Sequence, residues 1–337
     1  MVHVRHHLQS AVLVLAFFCV IGWAQEKPAD IPLRWRGLIG EYVKEGETLS
    51  VLERDGDLYL QETSGLSRRL QQKSEDTFSA VEMGAFGVVS CRFDRNEDGA
   101  AKLLFVDGRE YRRIAYGGTD GESFRIEPLR APSLLRQEAL RANPPNELGD
   151  FFQSDLVELV MLDSTIRLDI RYASTNNFMG EQFYSQARAF LQRPAAEALV
   201  RVHRSLIALG YGLVIHDAYR PWYVTKMFWD ATPQAQKEFV ADPAKGSRHN
   251  RGCAVDLSLF DPRTGRTVEM VTGYDEFSHR AAPEYTGGTS LQRWHRALLR
   301  QMMEREGFKV FESEWWHFDY RDWRKYPIGT ATFEELQ

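Results

Sequence analysis

Two short stretches of this 337-residue chain hold side chains that together could cut an amide bond. The first is Ser247-Arg248-His249-Asn250-Arg251-Gly252-Cys253-Ala254-Val255-Asp256, in which a His and an Asp stand seven positions apart with Gly252 between them. The second, further along, is Glu314-Trp315-Trp316-His317, a second acid and a second His. A catalytic zinc takes three protein ligands and keeps a fourth position for water. A carboxylate close by must accept that water's proton. Two His, one Asp and one further Glu meet that requirement. The helical His-Glu-x-x-His motif is absent. Either pair alone is a weak signal, because a lone His is more often a satisfied core or surface histidine; the two together point to metal-assisted hydrolysis.

The surrounding sequence must bring these pairs together. His249 and Asp256 bracket a loop-to-strand passage, with Gly252 allowing the bend and Asp256 on a strand over 254–259. If Glu314 and His317 straddle a loop entering a strand, both can face one cavity, with Trp315 and Trp316 as its walls. Strand-like runs occur at 157–162, 166–170, 213–215, 308–311 and 316–320. Apolar residues at helical spacing predict a helix over 194–209, begun by Pro194 and closed by Gly210. Further helices are predicted from 224 and over 291–306. This texture is α+β, an antiparallel sheet with flanking helices.

Three more stretches sharpen the reading: Arg171-Tyr172-Ala173-Ser174-Thr175-Asn176-Asn177-Phe178, Asp217-Ala218-Tyr219-Arg220-Pro221 and Gly273-Tyr274-Asp275-Glu276-Phe277-Ser278. With Ser247-x-His249-x-x-Gly252-x-Ala254-x-Asp256 and Glu314-Trp315-Trp316-His317, the region from about 155 to 327 resembles the D-alanyl-D-alanine dipeptidases, zinc peptidases of the wider D,D-carboxypeptidase group. The resemblance implies one Zn2+ per chain, held by His249, Asp256 and His317. It implies Glu314 as general base and Arg220 as stabiliser of the oxyanion. It implies Asp275 as acceptor of the substrate ammonium, and Ser247 and Tyr172 as residues lining the site. The residues themselves leave alternatives. Arg220, held extended before Pro221, could equally be an ion pair with Asp217. Asp275 could be a surface acid, Tyr172 core packing and Ser247 a loop cap. His216 reads as a satisfied histidine, His279 and His295 have no partner pattern, and Cys253 reads as packing that points away from a metal.

The rest of the chain sets the frame. Residues 1–24 read as a signal peptide, with an uncharged apolar run over 11–23 and small residues before Gln25, so export to the periplasm or beyond is expected. A retained N-terminal anchor is the alternative. Residues 33–126 read as a small all-β barrel or sandwich, its short alternating runs punctuated by Asp55-Gly56, Asp98-Gly99 and Asp107-Gly108. Phe78, Phe86, Phe93 and Phe105 are its candidate core. Residues 127–150, with four prolines, read as a linker, and 151–330 as the catalytic domain. A net charge of −5 and the lack of any Lys/Arg run exclude a nucleic-acid partner. The expected substrate is a small D,D-dipeptide or a peptide derived from peptidoglycan. The competing functions are D,D-carboxypeptidase action on longer stem peptides and a noncatalytic, zinc-containing wall-binding protein. Beyond Cys19 in the leader, Cys91 and Cys253 are the only cysteines, and two free thiols are expected.

Overall fold

The computed structural model describes residues 26–81, 88–116 and 123–336. The leader reading and Phe86 lie outside them. After a short helix α1 (Leu33–Arg36), eight strands follow: β1 (Gly40–Lys44), β2 (Glu47–Arg54), β3 (Asp57–Glu62), β4 (Ser67–Gln72), β5 (Thr77–Val81), β6 (Val88–Arg95), β7 (Ala101–Val106) and β8 (Arg109–Arg113). Each pairs antiparallel with the next, and β1 closes the barrel on β8 through Tyr42–Arg113 and Val43–Arg112. The hairpin turns Asp55-Gly56 and Asp107-Gly108 have positive φ at both residues (51° and 86°, 48° and 79°), which matches the right-handed twist of the strands they join. Phe93 packs edge-on against Tyr42 (6.0 Å) and Phe78 (5.6 Å) in the core. Phe105 corrects the sequence reading. It lies half-buried outside that core, 4.0 Å beneath the Arg92 guanidinium, because the alternation of β7 turns Leu104 inward instead.

The segment after the barrel lies along the second domain. Ser123 N donates to Asn176 Oδ1 (2.8 Å), Ile126 N to Phe178 O (2.8 Å) and Leu129 N to Ala231 O (2.8 Å). The stretch read as a linker contains a helix, α2 (Pro132–Arg141), whose Leu135 and Ala139 are buried in the second core. Next come β9 (Leu156–Glu158), α3 (Leu159–Leu162), β10 (Arg167–Leu168), β11 (Phe190–Gln192), α4 (Arg193–Ile207), β12 (Gly212–Asp217), α5 (Trp222–Ala231), β13 (Ala254–Phe260), α6 (Ser290–Arg305), β14 (Phe308–Phe311) and β15 (Glu314–Tyr320). The central sheet runs β10-β12-β13-β15-β14. It departs from the all-antiparallel expectation at one edge, where the two-residue β10 runs parallel to β12. The run 157–162 also divides, its second half turning into α3. Every residue of β12 and β13 is buried, as befits strands covered on both faces. The amphipathic α4 lays Leu199, Val202 and Leu206 on that core, and α6 starts with a reciprocal capping box between Thr289 and Gln292.

Cys91 belongs to the barrel core and Cys253 to the second core, and both thiols are free. Burial pushes each up to about 12. Neither should therefore react with a thiol reagent at pH 8 in a folded chain starting at Gln25, and two thiols should titrate after denaturation.

Candidate active site

Three neighbouring strands bring the acids and imidazoles together. Asp256 on β13 lies in register with His317 on β15 and, on its other side, with Asp217 at the end of β12. Cross-strand partners share a face, so all three side chains converge. Just before β13 the chain turns at Gly252 (φ +65°), where an added Cβ would meet Leu156 Cδ2 at 2.4 Å. This turn brings His249 over the end of the sheet. Its carbonyl accepts from Arg220 N (3.1 Å) and from Gly252 N (3.0 Å). Glu314 and His317, three apart on one strand, would ordinarily face opposite ways. The pairing of β14 with β15 jumps from Val310–Phe318 to Phe311–Glu314. Across that irregularity both side chains reach one cavity, with Glu314 Oε2 3.8 Å from His317 Nδ1.

His249 Nε2, His317 Nδ1 and Asp256 Oδ1 form a small triangle. Its sides are 3.1 Å (His249–His317), 3.3 Å (His249–Asp256) and 3.0 Å (His317–Asp256). A tetrahedral ion with bonds near 2.0–2.2 Å spaces its ligands about 3.3–3.6 Å apart, so the triangle needs only slight widening to hold one. Asp256 Oδ1 is buried and accepts no hydrogen bond of good geometry, an orphaned oxygen of the kind a cation satisfies. The outer partners fix the tautomers. His249 Nδ1 faces Ala218 O (2.7 Å) and His317 Nε2 faces Asp319 Oδ1 (3.0 Å), which turns the opposite ring nitrogens inward as lone-pair donors. The donor set therefore fits a small divalent metal.

The remaining predicted residues line the same cavity of about 510 Å³. Arg220 is buried over Tyr172 (5.2 Å) and Phe228 (4.9 Å), and its Nε donates to Asp217 Oδ2 (2.8 Å). Its NH2 also comes within 3.7 Å of Asp256 Oδ2. The ion pair with Asp217 thus exists and aims the guanidinium at the ligand cluster. Asp275 is buried with φ 58°, and its Oδ2 accepts from Tyr172 OH (2.9 Å). Tyr172 is both core packing and cavity lining. Ser247 Oγ accepts from His249 N (3.2 Å), capping the turn, while Ser247 also lines the cavity.

Electrostatics divides the acids. Burial raises Asp275 well above the carboxylate range, and Asp256 adds to the rise. Burial pushes Glu314 up to about 7 against the pull of His317. Asp256 goes the other way: burial opposes ionisation, but His249 and His317 outweigh it and hold it low. Burial alone would lower His317, yet Asp319 and Asp256 push it up to about 10. A metal taking this site must displace that proton.

Three supporting partners were given no role in the sequence reading. Asp319, Tyr184 (donating to Asp217 Oδ1, 2.8 Å) and Tyr274 (donating to Asp256 Oδ2, 3.0 Å) all support the cluster. Of these only Asp319 had a usable signal, two positions from His317 on one strand and hence on the same face. Trp315 and Trp316 are not cavity walls. Trp315 Nε1 donates to Thr272 Oγ1 (2.7 Å) and Trp316 backs Tyr274 (5.6 Å), both buried behind the site. His216 stacks on Tyr274 (4.8 Å) with Nδ1 3.3 Å from Asp169 Oδ2. His295 meets Tyr211 OH (3.1 Å). His279 has a partner after all, Glu41 in the barrel (3.0 Å).

Residues 153–333 match the family described as D-ala-D-ala dipeptidase. A D-alanyl-D-alanine dipeptidase of Escherichia coli (strain K12) is 35% identical over 180 residues, covering 53% of this chain and 92% of that protein. One from Enterococcus faecium is 30% identical over 208 residues, covering 56% and 98%. Another, from Enterococcus faecalis, is 31% identical over 180 residues, covering 48% and 89%. The match takes in more than half of this chain and nearly the full length of these relatives, and it spans all five stretches that feed the cavity; the chain belongs to the D-ala-D-ala dipeptidase family.

Proposed function

We propose that this chain is a zinc-dependent D,D-dipeptidase that hydrolyses D-alanyl-D-alanine to two molecules of D-alanine. The observation that carries the reading is one buried cavity lined by His249, Asp256 and His317, by Glu314 beside them, and by Arg220 and Asp275. Zinc, when bound by His249, Asp256 and His317, supplies Lewis acidity toward the peptide carbonyl and toward a water molecule. Glu314, with a pKa near neutrality, takes a proton from the attacking water and returns it to the leaving amine as the C–N bond breaks. Arg220, locked by Asp217 and two aromatic faces, is a fixed positive charge for the developing oxyanion, where a preorganised donor contributes most. Asp275 receives the substrate's ammonium. A buried carboxyl is costly to ionise alone, and an arriving cation offsets that cost. Tyr172 orients Asp275, and Ser247 shapes the cavity wall. Export, as the leader implies, would give the enzyme peptide fragments outside the cytoplasm, in cell-wall peptide metabolism.

A second reading, D,D-carboxypeptidase action on longer stem peptides, draws support from the cavity's size. At about 510 Å³ it falls within the roughly 300–1,000 Å³ typical of sites for larger ligands. Turnover of D-Ala-D-Ala against its N-acetyl form decides between them. The free dipeptide should be strongly preferred, and faster cleavage of the acylated form would overturn the dipeptidase reading.

Replacing Glu314 with Gln should lower kcat by about 10²–10⁴-fold while bound zinc, measured by metal analysis, stays at one per chain. Chelation should abolish turnover, and zinc should restore it. Asp319→Asn should weaken metal affinity by about 10–100-fold, seen in competition with a chromophoric chelator, with the fold retained by circular dichroism.

A further inference from the structure

We infer that the N-terminal barrel positions the substrate-ammonium loop, with Glu41 and Glu53 as positioning residues that hold the segment 271–290 from both ends. The inference rests on the proposed role of Asp275 in that segment. Glu41 on β1 is 2% exposed, an unusual place for a carboxylate without a purpose. Its Oε1 accepts from Tyr285 OH (2.8 Å) and faces His279 Nε2 (3.0 Å), both in the catalytic domain. Its Oε2 accepts from Tyr116 OH, and Tyr116 lies 4.4 Å beneath the Arg280 guanidinium. Arg280 in turn donates to Val271 O (3.1 Å), where the segment begins.

Glu53 on β2 is 1% exposed and grips the other end. Its Oε2 accepts from Ser290 N (2.6 Å) at the first turn of α6, where a carboxylate is favoured by the exposed N–H groups and the helix dipole. Its backbone N donates to Gly288 O (3.0 Å), and its carbonyl accepts from Arg293 (2.7 Å). Asp55 N adds a bond to Ser290 Oγ (3.1 Å).

Asp275 stands between Val271 and His279, the two points of the segment that the Glu41 contacts reach, and its φ of 58° lies in the left-handed region. A non-glycine residue keeps that conformation only where its surroundings over-determine it. Within the catalytic domain the Asp275 side chain has Tyr172 OH. The adjoining Glu276 accepts from Ser278 Oγ (2.6 Å), and Ser278 caps the short helical turn that carries His279 to Glu41. The chain of contacts therefore runs from barrel carboxylate to His279, to the Ser278 cap, to Glu276, the covalent neighbour of Asp275.

The test uses the full chain with Glu41→Ala, Glu41→Gln, Glu53→Ala and, as reference, Asp275→Asn. If the barrel positions the loop, Glu41→Ala and Glu53→Ala raise KM for D-Ala-D-Ala on the order of tenfold to a hundredfold, as small misplacements do. They leave kcat within about twofold and zinc content unchanged. Glu41→Gln recovers part of the loss. Amide exchange accelerates in 271–289 but not in the barrel strands. Glu41→Gln also serves as the milder probe if the alanine variant fails to fold. Should the barrel variants keep the parent KM while Asp275→Asn raises it, the positioning inference is overturned. Should Asp275→Asn itself leave KM unchanged, the ammonium reading falls and exchange in 271–289 alone decides whether the barrel holds the loop.

Discussion

A carboxylate stripped of water must find donors or cations on every side, and this chain concentrates that demand at Asp256. Left alone, a buried charge costs several kcal/mol. The sheet brings His317 and Asp217 beside Asp256 by register, the Gly252 turn brings His249 over it, and Tyr274 closes one oxygen with a hydrogen bond. Arg220 reaches toward the same oxygen while fastened to Asp217, which is fastened to Tyr184. Each outer group is explained by an inner one. Asp256 Oδ1 has no hydrogen-bond partner among the described residues, and it faces the two imidazole nitrogens that share its triangle.

The same crowding sorts the acids by task. Asp256 is held ionised and Glu314 is lifted toward neutrality, although both are buried around one cavity. Environments that push neighbouring carboxyls apart in this way separate a carboxylate held ionised from a group that can exchange a proton near neutral pH. Asp275 is raised well above the carboxylate range by burial, with the charge of Asp256 adding to the rise.

That His249, Asp256 and His317 would come together was legible from the motifs that carry the family resemblance, and the reading of Asp55-Gly56 and Asp107-Gly108 as hairpin turns was legible because both residues of each pair tolerate positive φ. What the sequence hid depends on long-range geometry. Glu314 and His317 share a cavity only because of a jump in strand pairing that no periodicity encodes. Asp217 and Arg220 were visible as a possible ion pair, but not as one aimed at Asp256. His279 lacked a partner pattern because its partner lies 238 residues away in another domain. The tryptophans misled because indoles beside a site are as easily its backing as its wall. Closure of the barrel depends on β1 meeting β8, the pairing with the widest separation in that domain and the least local signal.

The strap from Ser123 to Leu129, hydrogen-bonded along the catalytic domain, changes what the barrel surface has to achieve. A freely tethered module must find its docking face against its own chain entropy. Here the exit of the tether is already fixed, so the two surfaces meet at an effective concentration on the order of millimolar or above. Faces too weak to associate as separate molecules can then remain joined. Alignment then matters more than adhesion at this interface, where Glu41 and Glu53 carry polar contacts from the barrel to the second domain.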